Sequence, residues 1–178
     1  MRGRIALVAS VLLALVLGGL VFVLFNAEPA STRKADSPLL GKFAPALTGQ
    51  DYDIVDDAGK WVLVNFFATW CTPCINEHDD LVAFSSSHAL AGDASVVSVV
   101  FSDKRSNVDA FFEENGGDWP VVLDEDGQIA TDWGVAQVPE SYLVSPTGVV
   151  WFKIIGGIEA DRLEDLLAEA KAAEAAQP

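Results

Sequence analysis

Two cysteines, Cys71 and Cys74, are the only cysteines in this chain of 178 residues, and two residues separate them. They stand where an apolar run gives way to a helical pattern. Thiols at this spacing on the first turn of a helix are neighbours in space and can close a disulfide. A bridge over so short a loop adds little stability. The sequence therefore predicts a dithiol–disulfide couple that reacts with other molecules rather than one that stabilises the fold.

The two thiols have different expected roles. Cys71, at the start of the helix, faces unpaired backbone N–H groups and the positive end of the helix dipole, which favour the thiolate and lower the pKa of the thiol. Cys74 lies one turn inside the helix, where it can attack a mixed disulfide and release the partner. We expect Cys71 to be the exposed nucleophile and Cys74 the shielded resolving thiol.

Glu77 is the carboxylate nearest to this pair on the predicted helix. It projects on the same side as Cys74, Leu81 and Phe84, which is the side that faces the core. A carboxylate there resists ionisation, so it could hold or accept a proton near the buried thiol. The alternative is a glutamate that tilts out to water or pairs with a lysine, and the sequence leaves both open.

A metal site is the competing interpretation of the cysteine pair. His78 and His88 are the only histidines, and neither forms a second ligand pair with zinc-binding spacing. We therefore expect no metal and no other cofactor. A peroxidase is also disfavoured, because neither cysteine follows a threonine by three residues.

The elements that position the cysteines alternate between strands and helices. A nearly continuous apolar run of β-favouring residues, 61–67, precedes Cys71, and a second run, 96–101, follows the helix. Their short connections to the helix predict parallel strands. The remaining elements are expected as a helix over 107–115, a strand over 121–123, a short helix through Trp133, a hairpin of 141–144 with 149–155, and a closing helix over 159–173. This order predicts an α/β sandwich with the cysteines at the carboxyl end of a central strand.

The N-terminal region predicts attachment to a membrane. Residues 5–25 are 21 uncharged, mostly aliphatic residues, enough at about 1.5 Å per residue to cross a hydrocarbon core of about 30 Å. We expect residues 1–4 in the cytoplasm, 5–25 as a transmembrane signal-anchor, 26–38 as a tether and 39–178 as the folded domain, outside the cytoplasm. A cleaved signal peptide is the alternative.

The folded region is strongly acidic. Beyond Asp36 there are 7 Lys and Arg against 24 Asp and Glu, a net charge of −17. Nucleic acid is therefore an unsuitable partner. The same charge gives the domain no attraction to anionic lipid, which leaves the N-terminal helix as the membrane attachment.

The segment 68–78, ATWCTPCINEH, resembles the active-site stretch of membrane-anchored thioredoxin-like reductases, the TlpA/ResA and CcmG/DsbE families of cytochrome c maturation. The resemblance implies a thioredoxin-like three-layer sandwich with a central mixed sheet. Val138-Pro139 resembles the family segment in which a cis-proline lies against the cysteine pair, and Glu140 after it points to the CcmG/DsbE branch. Trp70, Val138, Pro139 and Glu140 are then expected to bind substrate, with Glu140 adding negative charge at the rim. Glu77 matches the family's glutamate.

The resemblance also implies a function and partners. It predicts a periplasmic thiol:disulfide oxidoreductase that reduces the haem-attachment cysteines of apocytochrome c. The span 5–25 contains no cysteine to carry electrons across the membrane, so a separate membrane electron donor, of the DsbD/CcdA type, is expected. A reductase or oxidase of broader specificity and a metal-delivery protein of the same fold are the alternatives.

Overall fold

A computed structural model of the chain describes residues 12–22 and 33–176. In the second range, six strands form one mixed sheet in the order β1-β6-β5-β2-β3-β4. β2, β3 and β4 run parallel, and the other neighbours are antiparallel. The strands are β1 Arg33–Ala35, β2 Trp61–Phe67, β3 Ala94–Phe101, β4 Val121–Asp124, β5 Glu140–Val144 and β6 Val150–Ile155. The helices are α1 Thr72–Ala89, α2 Arg105–Asn115, α3 Gln128–Trp133 and α4 Ala160–Ala175.

β2 lies inside the sheet, between β5 and β3, and all seven of its residues are buried. Alternate side chains of a strand point to opposite faces, so a run that is apolar except for Asn65 suits a strand covered on both sides. On one face Leu63 packs with Leu81 of α1 and Leu167 of α4. On the other face Phe66 packs against Trp133 of α3. The prediction of a sandwich around a doubly covered strand is confirmed.

The parallel β2-α1-β3 unit sets the position of the cysteines. Phe67 ends β2, and Cys71 begins α1 four residues later, at the carboxyl edge of the parallel strands. β5 runs the other way in the sheet, with Glu140 opposite Phe66, so the residues just before β5 reach the same edge. Gly156, just after β6, reaches it too, donating to the carbonyl oxygen of Pro139 at 2.9 Å.

The start of the folded domain differs from the prediction. Residues 33–35, which the sequence analysis assigns to a tether over 26–38, form β1 and pair antiparallel with β6. Lys34 holds this strand in place, because its Nζ lies 2.6 Å from a carboxylate oxygen of Glu169 and 4.1 Å from the ring centre of Phe152. So short a strand carries no alternating apolar pattern, and backbone pairing defines it. The domain therefore starts before residue 39.

The predicted membrane span is described only in part. Residues 12–22 are helical, whereas the rest of 5–25, together with 1–4 and most of the predicted tether, lies outside the described residues. Among the helices in the described ranges, none combines the length and the apolar character needed to cross a membrane.

Candidate active site

The Cys71–Cys74 disulfide forms across the first turn of α1, with the two Cα atoms 5.2 Å apart. Cys71 is the N-cap of the helix, and its Sγ accepts a hydrogen bond of 3.3 Å from the backbone N–H of Cys74. Pro73 occupies the first turn, where a missing N–H costs no helical hydrogen bond. A thiolate formed at Cys71 would receive this N–H together with the positive end of the helix dipole.

The exposure of the two cysteine residues differs from the prediction. Cys71 is 5% exposed and Cys74 is 3% exposed, so both are buried in the disulfide form. Cys71 was expected to be the exposed member. Its burial comes from a segment distant in sequence, because the carbonyl oxygen of Val138 lies 3.6 Å from Sγ of Cys71. Phe67 and Val108 complete the apolar surroundings.

The Val138–Pro139 peptide bond is cis, as the resemblance predicts. Val138 and Pro139 precede β5 and lie beside the disulfide, where the Val138 carbonyl faces Cys71. The prediction that this segment reaches the cysteine pair is confirmed. Its backbone is suited to pairing with an extended peptide that brings a disulfide to Cys71.

Glu140 does not lie at the rim, and the expectation that it adds negative charge there is wrong. The residue is 1% exposed, and its Oε2 lies 2.8 Å from Nζ of Lys153 on β6. Lys153 Nζ also donates to the carbonyl oxygen of Gly134, and Oε1 of Glu140 accepts from the N–H of Ala136. A buried carboxylate needs such partners. The ion pair therefore ties the segment after α3 to the strand that follows Pro139.

The environment of Lys153 keeps it charged. Burial alone would lower the pKa of its ammonium group, but hydrogen bonds and charge interactions with Glu140 and Tyr142 outweigh burial and raise it. Tyr142 shows the reverse balance, since burial raises the pKa of its phenol although Lys153 opposes the change. Lys153 and Glu140 thus form a charged pair inside the domain.

Glu77 is buried on the core-facing side of α1, with 3% of its surface exposed. Its Oε1 accepts from the side-chain amide of Asn65 at 2.9 Å, and its Oε2 accepts from the backbone N–H of Ile158 at 3.0 Å. Burial raises the pKa of the carboxyl from 4.5 to about 7, although both hydrogen bonds oppose the change, and nearby Asp80 adds to it. Of the two alternatives, the structure supports the buried, proton-holding carboxyl rather than one that tilts out to water.

A groove connects Glu77 to the surface. It encloses about 260 Å³, and Pro73, Glu77, Asp80 and Ile158 are among its lining residues. In the disulfide form neither oxygen of Glu77 bonds to the sulfur of Cys74 within the described part of the chain. A disulfide sulfur carries no proton, so proton transfer from Cys74 to Glu77 requires a form in which Cys74 is a free thiol.

Trp70 stands beside Cys71 and is 58% exposed, as a residue that flanks the sulfur should be. Its indole N–H donates to the carbonyl oxygen of Ser102 at 3.2 Å.

The residue before Trp70, Thr69, donates through its backbone N–H and its hydroxyl to Oδ2 of Asp103, at 2.8 and 2.5 Å. Burial would raise the pKa of Asp103, but the hydrogen bonds from Thr69, Asn107 and Lys104 outweigh it and lower the pKa. The loop before Cys71 is thus attached to the loop after β3.

Both histidines have structural partners. His78 packs against Phe111 and Trp119 and bonds to the carbonyl oxygen of Gly116. His88 lies 2.7 Å from Asp93 and 3.2 Å from Glu164, joining the end of α1 to α4. In residues 12–22 and 33–176, no group of three or more Cys, His, Asp and Glu is arranged to hold a metal ion.

Several residues that support the site were not predicted from the sequence. Asn65 links Glu77 to β5, since its amide also donates to the hydroxyl of Ser141 at 3.0 Å. Lys153 and Asp103 hold the segments on either side of the disulfide. One signal was present for Asn65 and Lys153, because each interrupts an apolar strand that is expected to be buried, and a buried polar residue requires a partner.

The assembled site can exchange disulfides with another protein. Cys71 supplies a sulfur at a helix N-terminus, Cys74 a second sulfur one turn inside, and Glu77 a carboxyl whose pKa lies near neutrality. Val138 places its backbone carbonyl beside them. These are the parts that nucleophilic attack, resolution and proton transfer require.

Comparisons with known proteins agree with this geometry. The chain matches the Redoxin family over residues 29–167. It is 35% identical over 132 residues to the thiol:disulfide interchange protein CycY of Rhizobium leguminosarum bv. viciae, covering 74% of this chain and 62% of that protein's length. It is 30% identical to the thiol:disulfide interchange protein DsbE of Allochromatium vinosum, covering 82% of this chain and 81% of that protein. A crystal structure described as a DsbE thiol:disulfide interchange protein from Chlorobium tepidum superposes with a TM-score of 0.66 at 28% identity, covering 74% of this chain and 96% of that one.

Proposed function

This chain belongs to the Redoxin family and has a thioredoxin-like α/β fold, and from that premise we propose that it reduces protein disulfides outside the cytoplasm. It is a thiol:disulfide oxidoreductase whose catalytic unit is the Cys71–Cys74 pair. The observation that carries the proposal is the disulfide itself, placed at the N-terminus of α1 and faced by the Val138 carbonyl. Among relatives, CycY and DsbE are named thiol:disulfide interchange proteins.

The reaction begins from the dithiol form. The Cys71 thiolate attacks one sulfur of the substrate disulfide, which forms a mixed disulfide and releases the other substrate sulfur as a thiolate. Cys74 then loses its proton and attacks Cys71, which closes the protein disulfide and releases the second substrate sulfur. The substrate gains two electrons and two protons, and the protein loses the same number. A dithiol donor returns the protein to its starting form by the reverse exchange.

Glu77 serves the second step by accepting the proton of Cys74. A buried thiol resists ionisation, because burial disfavours the charged form. A carboxyl with a pKa of about 7 is poised to take up a proton near neutral pH. The groove beside Glu77 gives the proton a path to solvent.

The substrate polypeptide binds along Val138 and Pro139 and contacts Trp70, which is the exposed aromatic side chain next to Cys71. Glu140 does not contact the substrate and affects its binding only through the position of Val138 and Pro139. Its ion pair with Lys153 fixes β5, the strand that follows Pro139, so its role is to position the binding backbone.

The proposed substrate is the oxidised pair of haem-attachment cysteines of apocytochrome c. The similarity of segment 68–78 to the CcmG/DsbE and TlpA/ResA families of cytochrome c maturation supports this substrate. The names of the relatives CycY, DsbE and ResA support the disulfide exchange itself. Residues 5–25 anchor the protein in the membrane with the domain on the periplasmic side. The electron donor is a membrane protein of the DsbD/CcdA type, since residues 5–25 contain no cysteine.

Trapping of the mixed disulfide tests the proposal. Cys74→Ser should accumulate a disulfide between Cys71 and a peptide that carries an oxidised C-x-x-C-H motif, because the protein then lacks the thiol that resolves it. Cys71→Ser is the matched control and should trap nothing. Equal trapping of unrelated oxidised peptides would indicate a reductase of broad specificity. No adduct from Cys74→Ser with any disulfide peptide would refute the exchange function.

A further inference from the structure

The register of the sheet fixes where the chain enters the folded domain. β6 begins at the pole opposite the active site and ends at Ile155, next to Gly156, whose N–H bonds to Pro139. β1 runs antiparallel to β6, with Arg33 opposite Ile155 and Ala35 opposite Lys153. Arg33 therefore lies at the same pole as the disulfide, which we call the active-site pole. The chain enters the domain at this pole.

The entry point is close to the disulfide. Three strand spacings separate β1 from β2 in the sheet order, which is about 14 Å at the usual spacing of about 4.8 Å. The ion pair of Lys34 with Glu169 secures β1 against α4. A force or constraint on the segment before Arg33 therefore acts on the pole that carries Cys71.

The connection to the proposed anchor is short. From Phe25 to Arg33 the chain takes eight residue steps, which span at most about 29 Å even when fully extended. The described domain, residues 33–176, is expected to have a radius of gyration of about 15 Å and thus a diameter of about 37 Å as a sphere. If the active-site pole pointed away from the membrane, Arg33 would lie about 37 Å from the surface, beyond the reach of the connection.

We propose that the active-site pole is turned toward the membrane surface, so that Cys71 exchanges with dithiols held at that surface. This inference rests on the membrane anchoring included in the proposed function. Its partner is a protein whose reactive cysteines lie in or just above the bilayer. The acidic domain has no electrostatic attraction to anionic lipid, so the chain connection supplies the orientation.

Energy transfer to the membrane tests the orientation. A dye is attached to a single new cysteine in the full chain carrying Cys71→Ser and Cys74→Ser, reconstituted in vesicles with acceptor dye on the lipid headgroups. Lys104→Cys reports the active-site pole, since Lys104 follows β3. Leu90→Cys is the matched position at the other end of α1, a helix about 27 Å long, where Leu90 is 100% exposed. Transfer should be greater from position 104, and equal or greater transfer from position 90 would overturn the proposal.

Lengthening the connection supplies a second measurement. About thirty Gly and Ser residues inserted between Ala30 and Ser31 raise the connection from eight to about 38 steps and should lower the rate at which a thiol-bearing lipid reduces the Cys71–Cys74 disulfide by about tenfold. The same residues added after Pro178 are the control and should leave that rate unchanged. Reduction by a soluble thiol should not change in either variant.

The possible outcomes of these experiments distinguish a failure of the proposed orientation from a failure of the proposed exchange function. An unchanged rate with the thiol-bearing lipid would overturn the orientation while the soluble thiol still reports the exchange chemistry. If the chain did not remain bound to the vesicles, the proposed membrane anchor and the proposed orientation would both be refuted. Loss of reduction by the soluble thiol would instead contradict the proposed function.

Discussion

The side-chain amide of Asn65, in the middle of β2, donates a hydrogen bond of 2.9 Å to the carboxylate of Glu77 on α1. The same amide donates to Ser141 on β5. Three elements therefore meet around one buried carboxyl, one turn beyond Cys74. This link connects the proposed proton acceptor to β5, the strand that follows the proposed substrate-binding segment.

We expect Glu77→Gln to change the pH dependence of disulfide exchange. In the parent protein, resolution of a mixed disulfide should rise with pH around the carboxyl pKa of about 7, because only the ionised carboxylate accepts a proton. Glutamine cannot accept it, so the rate should fall about tenfold or more above pH 7. Stopped-flow kinetics across pH measure this. Asp79→Asn, at an exposed position of the same helix, is the control, and a profile for Glu77→Gln that overlays the parent's would make Glu77 purely structural.

The same carboxyl should make folding stability depend on pH. The pKa of Glu77 rises from 4.5 to about 7 on folding, so between these values the folded state binds more protons than the unfolded state. Stability contributed by the neutral carboxyl is complete below pH 4.5 and declines as pH rises toward 7, by up to about 3 kcal/mol. Urea denaturation of the parent and of Glu77→Gln should show a difference that grows in this window. A constant difference would contradict the raised pKa.

Asn65→Leu should move the kinetic inflection to higher pH. The hydrogen bond from Asn65 lowers the pKa of Glu77, and its removal leaves burial less opposed. Leucine keeps the number and branching of the side-chain heavy atoms but donates no hydrogen bond. Ser141→Ala, which removes only the other acceptor of the amide, should leave the inflection near its original position. An inflection that moves to lower pH in Asn65→Leu would show that another group controls the step.

The ion pair of Glu140 with Lys153 should behave as a unit. Glu140→Gln or Lys153→Met alone leaves a buried charge without its partner and should lower the free energy of unfolding by about 3 to 5 kcal/mol. The double variant should lose less than the sum of the single losses, because no uncompensated charge remains. Urea denaturation of all four proteins gives the coupling energy, and strict additivity would mean that the two charges do not interact.

Cys71 should be alkylated faster than Cys74 at neutral pH once the protein is reduced. Sγ of Cys71 accepts the N–H of Cys74 and lies at the helix N-terminus, which stabilise a thiolate there. The variants Cys74→Ser and Cys71→Ser isolate each thiol, and iodoacetamide labelling followed by mass spectrometry gives the two rates. Faster labelling of Cys74 would reverse the assignment of nucleophile and resolving thiol.

Local patterns in the sequence were enough to predict the centre of the molecule. The run 61–67 is β2 with the bounds expected, because a strand covered on both faces is apolar at nearly every position, Asn65 being the exception. α1 begins beside Cys71, and the helical period places Glu77 on the buried side. The resemblance of Val138-Pro139 to a known segment supplied the cis bond, which the residues alone would not have given.

The tertiary structure decided what depends on segments that are distant in the chain. Cys71 is buried because Val138, 67 positions later, lies against its sulfur. Glu140 turned inward because the register of β5 and β6 brings Lys153 to it, and β1 exists because β6 offers an edge to pair with. Periodicity reports which face of an element is apolar, but it does not specify which residues of two elements stand opposite each other. The register of β5 and β6 decides that Glu140 is neutralised by Lys153. The pairing of β1 with β6 brings the chain into the domain at the pole that carries the disulfide.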